Sequence, residues 1–271
     1  MATTIRPPAV AGRFYPGQAE HLASTVERLL ADARAASAAC SPPKALIVPH
    51  AGYVYSGSTA AAGYVTLDPV RDQVTRVVML GPAHHVWFSG LALAGADSFA
   101  TPLGTIELDP GAEAALAQLP QVIIHPGAHA QEHSLEVQLP FLQAVLNEFQ
   151  LVPLVVGNAS PRQVAEVLEA LWGGSETVVV ISSDLSHYLP YPSARRIDRT
   201  TVQQILDLDW PLTDGSACGA RGINGLLVAA AERGLRPHLI SMCNSGDTAG
   251  DRSRVVGNAA IAFEELTDFH S

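Results

Sequence analysis

Continuous runs of Val, Ile and Leu constrain the fold of this chain most, because they alternate with segments of helical periodicity. The plainest run is "ETVVVISSD" at 176–184, and similar runs occur at 44–49, 75–81 and 151–157. Strands that are apolar at every position are buried on both faces, and strands that alternate with helices usually pair in parallel. We therefore predict an α/β fold with a mostly parallel central sheet flanked by helices.

Weaker patterns complete this prediction. Shorter strands are predicted at 90–95, 104–109, 121–126, 238–242 and 255–263. Helices are predicted at 18–36, 56–65, 110–119, 134–149, 160–172, 192–207 and 216–233. The 271 residues have no composition break and no fixed repeat, so we expect a single domain over residues 1–271.

Charge and composition exclude several classes of function. The net charge is −10, and a nucleic-acid partner would require a basic surface. The only dense basic cluster, "RRIDR" at 195–199, is interpreted as a solvated helix face. The longest strongly apolar run, at 225–231, is too short to span a bilayer, and three cysteines cannot form a disulfide framework. We expect a cytoplasmic protein without nucleic-acid or membrane partners.

Polar residues follow three of the apolar runs at the point where each run ends. His50 follows the first, His84 and His85 follow the second, and Asp184 and His187 follow the run in "SSDLSHY". A single histidine after a strand is commonly structural. Three such endings on one parallel sheet would meet at one edge, where α/β proteins bind ligands. Several imidazoles and a carboxylate, without a glycine-rich phosphate loop, are typical of a metal site.

The segment "HAQEH" at 129–133 matches the inverted zinc-protease pattern H-x-x-E-H. That mechanism requires His129 and His133 to lie one helical turn apart. A Pro-Gly pair precedes them, and helical periodicity begins only at Leu135. We therefore predict that both histidines lie in a loop, from which Glu132 and His133 face the metal site.

Cys218 is the cysteine with the most suggestive surroundings, in "DGSACGARGINGLL". Asp214 or Ser216 is a suitable cap for a helix whose first turn would contain Cys218. A helix N-terminus lowers the pKa of a thiol, and a thiolate is a soft metal ligand. Cys40 and Cys243 are interpreted as residues without a role in the site.

The segments "AGRFYP", "PHAGYVYSG", "LGPAHH", "EHSLEVQLPFL", "SSDLSHY" and "CGARGI" together resemble the Memo family, in the same order and with comparable spacing over residues 6–264. Memo proteins are similar in fold to class III extradiol dioxygenases, which hold non-haem iron(II) with two histidines and a carboxylate. The resemblance implies metal ligation by His50, His84 and Cys218. It also implies a pocket lined by Asp184 and His187. Asp184 as the third ligand, with Cys218 packed as a small hydrophobe, is the competing assignment.

This resemblance implies a dioxygenase-like, metal-dependent oxidoreductase that acts on an unknown small molecule. Its cofactor would be one iron(II) or copper ion, with zinc as a further option. Asp184, His187 and His133 would be the catalytic residues, with either histidine as acid or base and Asp184 orienting an imidazole. A non-catalytic metal- or peptide-binding module and a metal-assisted hydrolase are the alternatives. AMMECR-type and radical-SAM proteins are the partners that the family implies.

Overall fold

A computed structural model describes residues 3–36 and 41–265. The strands are β1 (Ile5–Arg6), β2 (Ala45–Val48), β3 (Arg76–Pro82), β4 (Leu91–Leu93), β5 (Ser98–Thr101), β6 (Gly104–Glu107), β7 (Val122–Ile124), β8 (Gln150–Val156), β9 (Thr177–Ser182), β10 (His187–Leu189), β11 (Arg236–Asn244) and β12 (Val255–Glu264). The α-helices are α1 (Ala19–Ala36), α2 (Tyr53–Tyr64), α3 (Ala112–Leu116), α4 (Pro126–Ala130), α5 (Leu139–Val145), α6 (Pro161–Leu171), α7 (Tyr191–Leu206), α8 (Ala220–Arg233) and α9 (Ser245–Thr248). Short 3-10 helices occur at Val65–Val70 and Glu136–Gln138.

The larger sheet has the strand order β10-β12-β2-β9-β3-β8-β4-β7, with β11 also paired to β12. Its four central strands, β2, β9, β3 and β8, are parallel. β12 is antiparallel to β2, and β4 is antiparallel to β8. The predicted α/β fold is confirmed, and its parallel part is the centre of the sheet. A smaller sheet, β1-β5-β6, was not predicted in this form, because β1 has only two residues.

Helices cover both faces of the larger sheet. α1, α2 and α5 pack on one face through side chains such as Leu30, Tyr64 and Phe141. α6 and α8 pack on the other face, where Leu168 and Leu227 are fully buried. Every residue of β2 and β9 is buried, which explains why these strands are continuous apolar runs. Among the described residues, no helix combines the length and the apolar character needed to cross a membrane.

The register of the central strands brings their carboxyl ends to one edge. Val48 at the end of β2 pairs with Ser182 at the end of β9, and β9 also pairs with β3. His50 and Asp184 each lie two residues beyond these paired ends, and His84 lies two residues beyond β3. The chain therefore leaves three adjacent strands at the edge that the sequence predicted for the site.

Two predicted helices begin four or five residues later than expected. In place of a helix over 134–149, a 3-10 turn is followed by α5, which starts at Leu139 and places Pro140 in its first turn. Proline is tolerated there because the first backbone N–H groups of a helix have no intrahelical partner. The helix predicted at 216–233 begins at Ala220.

Candidate metal centre

A cavity of about 600 Å³ opens at the carboxyl ends of the central strands. It is called the metal cavity below, after the candidate metal ligands in its wall. All six residues predicted for the site contribute to its wall: His50, His84, His133, Asp184, His187 and Cys218. His85 lines a neighbouring cavity instead. Cys243 bonds the hydroxyl of Thr59 at 3.0 Å, and Cys40 lies outside the described residues.

Three side chains of this cavity bring one potential ligand atom each to within 4.8 Å of one another: His50, His84 and Cys218. Nε2 of His50 is 3.4 Å from Sγ of Cys218. The His50 and His84 rings meet edge to face, with 5.3 Å between their centroids. Two imidazole nitrogens and a sulfur form a donor set that suits copper, iron or zinc and is poorly suited to Mg²⁺ or Ca²⁺.

Ser182 fixes the tautomer of the buried His50. The Ser182 hydroxyl donates to the carbonyl of Ser134 at 2.6 Å, so its oxygen accepts from other groups. Nδ1 of His50 lies 2.9 Å from this oxygen and therefore carries the proton of the neutral ring. Nε2, the nitrogen beside Cys218, is left with its lone pair free. Ser182 was not among the residues predicted from the sequence, although it belongs to the "SSD" segment.

Glu132 has the same effect on His84. Its Oε1 lies 2.8 Å from Nδ1 of His84, and its Oε2 accepts the His84 backbone N–H at 2.7 Å. Burial alone would raise the pKa of the Glu132 carboxyl, but the hydrogen bonds that it accepts from the His84 ring, the His84 backbone and the Ser134 backbone hold it well below its usual range. The ionised carboxylate thus orients the ring and leaves Nε2 available as a ligand.

His84, Glu132 and His133 form a second group with metal-ligand spacing. Oε1 of Glu132, however, already accepts from Nδ1 of His84 and from the backbone N–H groups of His133 and Ser134. Because the lone pairs of Glu132 are engaged by the protein, His50, His84 and Cys218 are the better candidates for metal ligands.

Asp184 contacts the backbone of His50. Its Oδ1 accepts the N–H groups of His50 at 2.7 Å and of Ala51 at 3.2 Å. Its Oδ2 is 4.0 Å from Nε2 of both His50 and His187. The carboxylate therefore anchors the strand end that carries His50, while Ser182 and Glu132 make the hydrogen bonds that orient the two imidazoles.

Cys218 lies in the turn before α8. The predicted caps do not form: Gly219 is the N-cap, Asp214 pairs with Arg221 at 3.2 Å, and Ser216 donates to a carbonyl. A Cβ on Gly219 would lie 2.6 Å from Cβ of Ser183, so a glycine is needed for this turn to reach the end of β9. Burial, reinforced by the charge of Asp184, raises the pKa of the Cys218 thiol.

The raised pKa reverses the expectation that a helix N-terminus makes this thiol acidic. Without a metal, Cys218 is a protonated thiol at neutral pH. Its sulfur nevertheless accepts the Asp184 backbone N–H at 3.3 Å, a contact that suits a thiolate. Metal binding at this position would release the thiol proton.

His133 and His129 do not share one helix face. His129 is buried in α4, and its Nε2 bonds the carbonyl of Ala92 in β4 at 2.8 Å, which corrects the prediction that it lies in a loop. His133 follows in a loop, stacked on His84 with 4.6 Å between ring centroids. Burial, together with the proximity of His50, lowers the pKa of His133 to about 3, so its ring is neutral.

Two aromatic residues complete the cavity. Phe14 lies against His133, with 4.6 Å between centroids, in a segment anchored where the hydroxyl of Tyr15 donates to Glu136 at 2.6 Å. Tyr188, with 62% of its surface exposed, has a left-handed φ of 57°. That conformation costs a non-glycine residue roughly 1–2 kcal/mol. Pairing of β10 with β12 across an irregularity holds it.

Comparison with known proteins agrees with this structure. Residues 6–262 match the family model described as Memo-like protein. MEMO1 family proteins of Sulfolobus acidocaldarius and Archaeoglobus fulgidus are 34% and 36% identical to the chain, over 96% of its length and 99% of theirs. A MEMO1 family protein of Aquifex aeolicus is 34% identical over the same shares. His50, His84 and Cys218 all lie within the matched residues, and the chain belongs to the Memo family.

Proposed function

We propose that this protein is a metal-dependent oxidoreductase whose metal ion is held by His50, His84 and Cys218. The observation that supports the proposal most is the approach of three ligand atoms from these residues to within 4.8 Å of one another. Protein hydrogen bonds engage Nδ1 of both imidazoles, so that each ring has Nε2 free for ligation. A bound iron or copper ion would supply one-electron redox chemistry.

The side chains around these ligands would handle protons and position the substrate. His133 is neutral and stacked on His84, so its ring would offer a hydrogen-bond acceptor to a substrate; because burial lowers its pKa to about 3, it would be a weak base. Nδ1 of His187 bonds the carbonyl of Leu185 at 2.8 Å, which leaves its Nε2 as a second acceptor in the same cavity. A cavity of about 600 Å³ has the size of a site for a small molecule.

Anaerobic purification followed by elemental analysis tests the ligand assignment. We expect about one metal ion per chain in the natural protein and a loss of metal in His50→Ala and His84→Ala. The control is His85→Ala, because His85 is adjacent in sequence but lies outside the wall of the cavity. Equal metal content in all four proteins would contradict the assignment.

Oxygen uptake by the metal-loaded protein tests the reaction class. A panel of catechols and other small reductants should include one that supports O2 consumption, and His133→Gln should slow it without loss of metal. Stoichiometric metal with no O2 consumption and no redox turnover would instead identify a metal-binding protein without this activity.

A further inference from the structure

Five exposed arginines form one surface beside the metal cavity. Three lie on α7, and two lie in the turn before β12; together they form the arginine surface, defined as Arg195, Arg196, Arg199, Arg252 and Arg254. The ion pairs of the described residues involve other arginines: Arg6, Arg28, Arg34, Arg76, Arg162, Arg221 and Arg233. This concentration of unpaired positive charge contrasts with the net charge of −10 of the chain.

Tyrosines connect the arginines into one continuous surface. The guanidinium groups of Arg252 and Arg195 lie 4.6 Å and 5.6 Å from the centroid of the Tyr191 ring. The guanidinium of Arg254 lies 5.1 Å from the ring of Tyr188, which also lines the metal cavity. The arginine surface therefore extends from α7 to the rim of that cavity.

Among the described residues, the shallow cavity on the arginine-bearing face of α7 is lined by no acidic residue, whereas Arg195 also lines a smaller cavity together with Asp198 and Asp247. The shallow cavity has a volume of about 520 Å³ and is formed by Tyr191, Pro192, Arg195, Arg196, Arg199 and Thr200. Arg195 and Arg199 are four residues apart, a spacing at which like charges destabilise a helix. A helix that only had to be soluble would gain stability from an acid at either position.

The nearby carboxylates are engaged by the protein. Asp247 accepts the hydroxyl of Tyr191, and Asp198 is buried and accepts the backbone N–H of Ser186. Asp251 accepts from Ser253. None of the three forms an ion pair with the arginine surface, so the guanidinium groups remain available to carboxylates from outside, which they bind with paired N–H donors.

We propose that the arginine surface is a docking site for an acidic segment of a partner protein. The overall negative charge opposes a long polyanion such as a nucleic acid, whereas a short acidic segment would contact chiefly the five arginines of this surface. Complementary charge of this kind speeds encounter and fixes orientation. A partner bound here would lie next to the mouth of the metal cavity. The inference does not depend on the identity of the metal or on the proposed reaction.

The test is the binding of a fluorescein-labelled oligoglutamate peptide to the full chain, measured by fluorescence anisotropy. We expect binding that weakens as salt is raised, because exposed charge pairs are screened. The variant Arg195→Gln/Arg196→Gln/Arg199→Gln should bind roughly 10-fold more weakly, since each exposed charge pair contributes a few-fold. Because this variant no longer has two positive charges four residues apart on α7, the melting temperature of the variant should be unchanged or slightly higher.

The matched control is Arg28→Gln/Arg71→Gln/Arg162→Gln, which removes the same charge from exposed positions elsewhere and should retain the affinity for the peptide. Absence of binding by the natural protein, or equal weakening in both triple variants, would overturn the proposal. An oligothymidine of equal charge provides the last comparison, because tighter binding of this oligonucleotide than of oligoglutamate would show that the surface selects nucleic acid.

Discussion

Both oxygens of the Glu132 carboxylate bond His84, one through the imidazole Nδ1 at 2.8 Å and the other through the backbone N–H at 2.7 Å. One buried carboxylate thus fixes the position, ring orientation and tautomer of a residue that is itself partly open to the cavity. Such a partner raises the basicity of a ligand imidazole and reduces the entropy that it loses on binding a metal.

Glu132→Gln should weaken metal binding by roughly 10–100-fold. The neutral amide retains the approximate shape of the side chain but removes the charge that stabilises the His84 tautomer. Competition with a chromophoric chelator measures the affinity. Glu113→Gln, an exposed substitution on α3, is the control and should have no effect. Unchanged affinity in Glu132→Gln would mean that His84 is oriented by other contacts.

Cys218→Ser should abolish the sulfur-to-metal charge-transfer band of the cobalt(II)-substituted protein. A thiolate ligand gives an intense near-ultraviolet band, and a serine hydroxyl does not. Cys243→Ser should retain the band, since Cys243 contacts Thr59 and does not line the metal cavity. If natural protein loaded with cobalt has no such band, the third ligand is an oxygen, and Asp184 becomes the best candidate.

Asp184→Asn should retain about one metal ion per chain but lower redox activity by roughly 10–100-fold. The asparagine oxygen can still accept the His50 and Ala51 N–H groups, whereas the negative charge 4.0 Å from Nε2 of His187 is lost. Elemental analysis and turnover are measured on the same preparation. Asp214→Asn serves as control because Asp214 lines the same cavity but pairs with Arg221. Complete loss of metal from Asp184→Asn would instead make Asp184 a ligand.

The metal-free protein should lose stability as the pH falls from about 6.5 to about 4. Burial lowers the pKa of His129 to about 4, so the unfolded chain takes up a proton first as the pH falls. The free energy of unfolding is therefore highest above about 6.5, the pKa of histidine in the unfolded chain, and it falls as the pH approaches about 4, the pKa of His129 in the folded protein. At about 1.4 kcal/mol per pKa unit, His129 contributes on the order of 3 kcal/mol.

Urea unfolding across this pH range measures the effect of His129. His129→Gln, which can still donate to the Ala92 carbonyl, should flatten the pH dependence of the unfolding free energy. His21→Gln, an exposed substitution on α1, should leave the dependence as steep as in the natural protein. If His129→Gln has the same slope as the natural protein, other groups account for the acid sensitivity.

Local sequence patterns were sufficient to predict the α/β fold and the edge of the sheet where His50, His84 and Asp184 lie. Burial on both faces requires a continuous apolar run, and such a run ends where the chain leaves the core, so the positions after it are predictable. Segment ends were less predictable. The sequence signals for a helix start near 134 and 216 were misleading, because α5 begins only at Leu139, with Pro140 in its first turn, and α8 begins only after the turn that carries Cys218.

Only the tertiary structure decided which side chains meet. Glu132 reaches His84 across 48 residues of chain, and the Asp184 N–H reaches Cys218 across 34. The hydroxyl of Ser182 sets the tautomer of His50 across 132 residues. These contacts depend on the register of parallel strands and on how loops pack over the sheet. No local pattern encodes them, because the distance between two such side chains depends on packing interactions made throughout the chain.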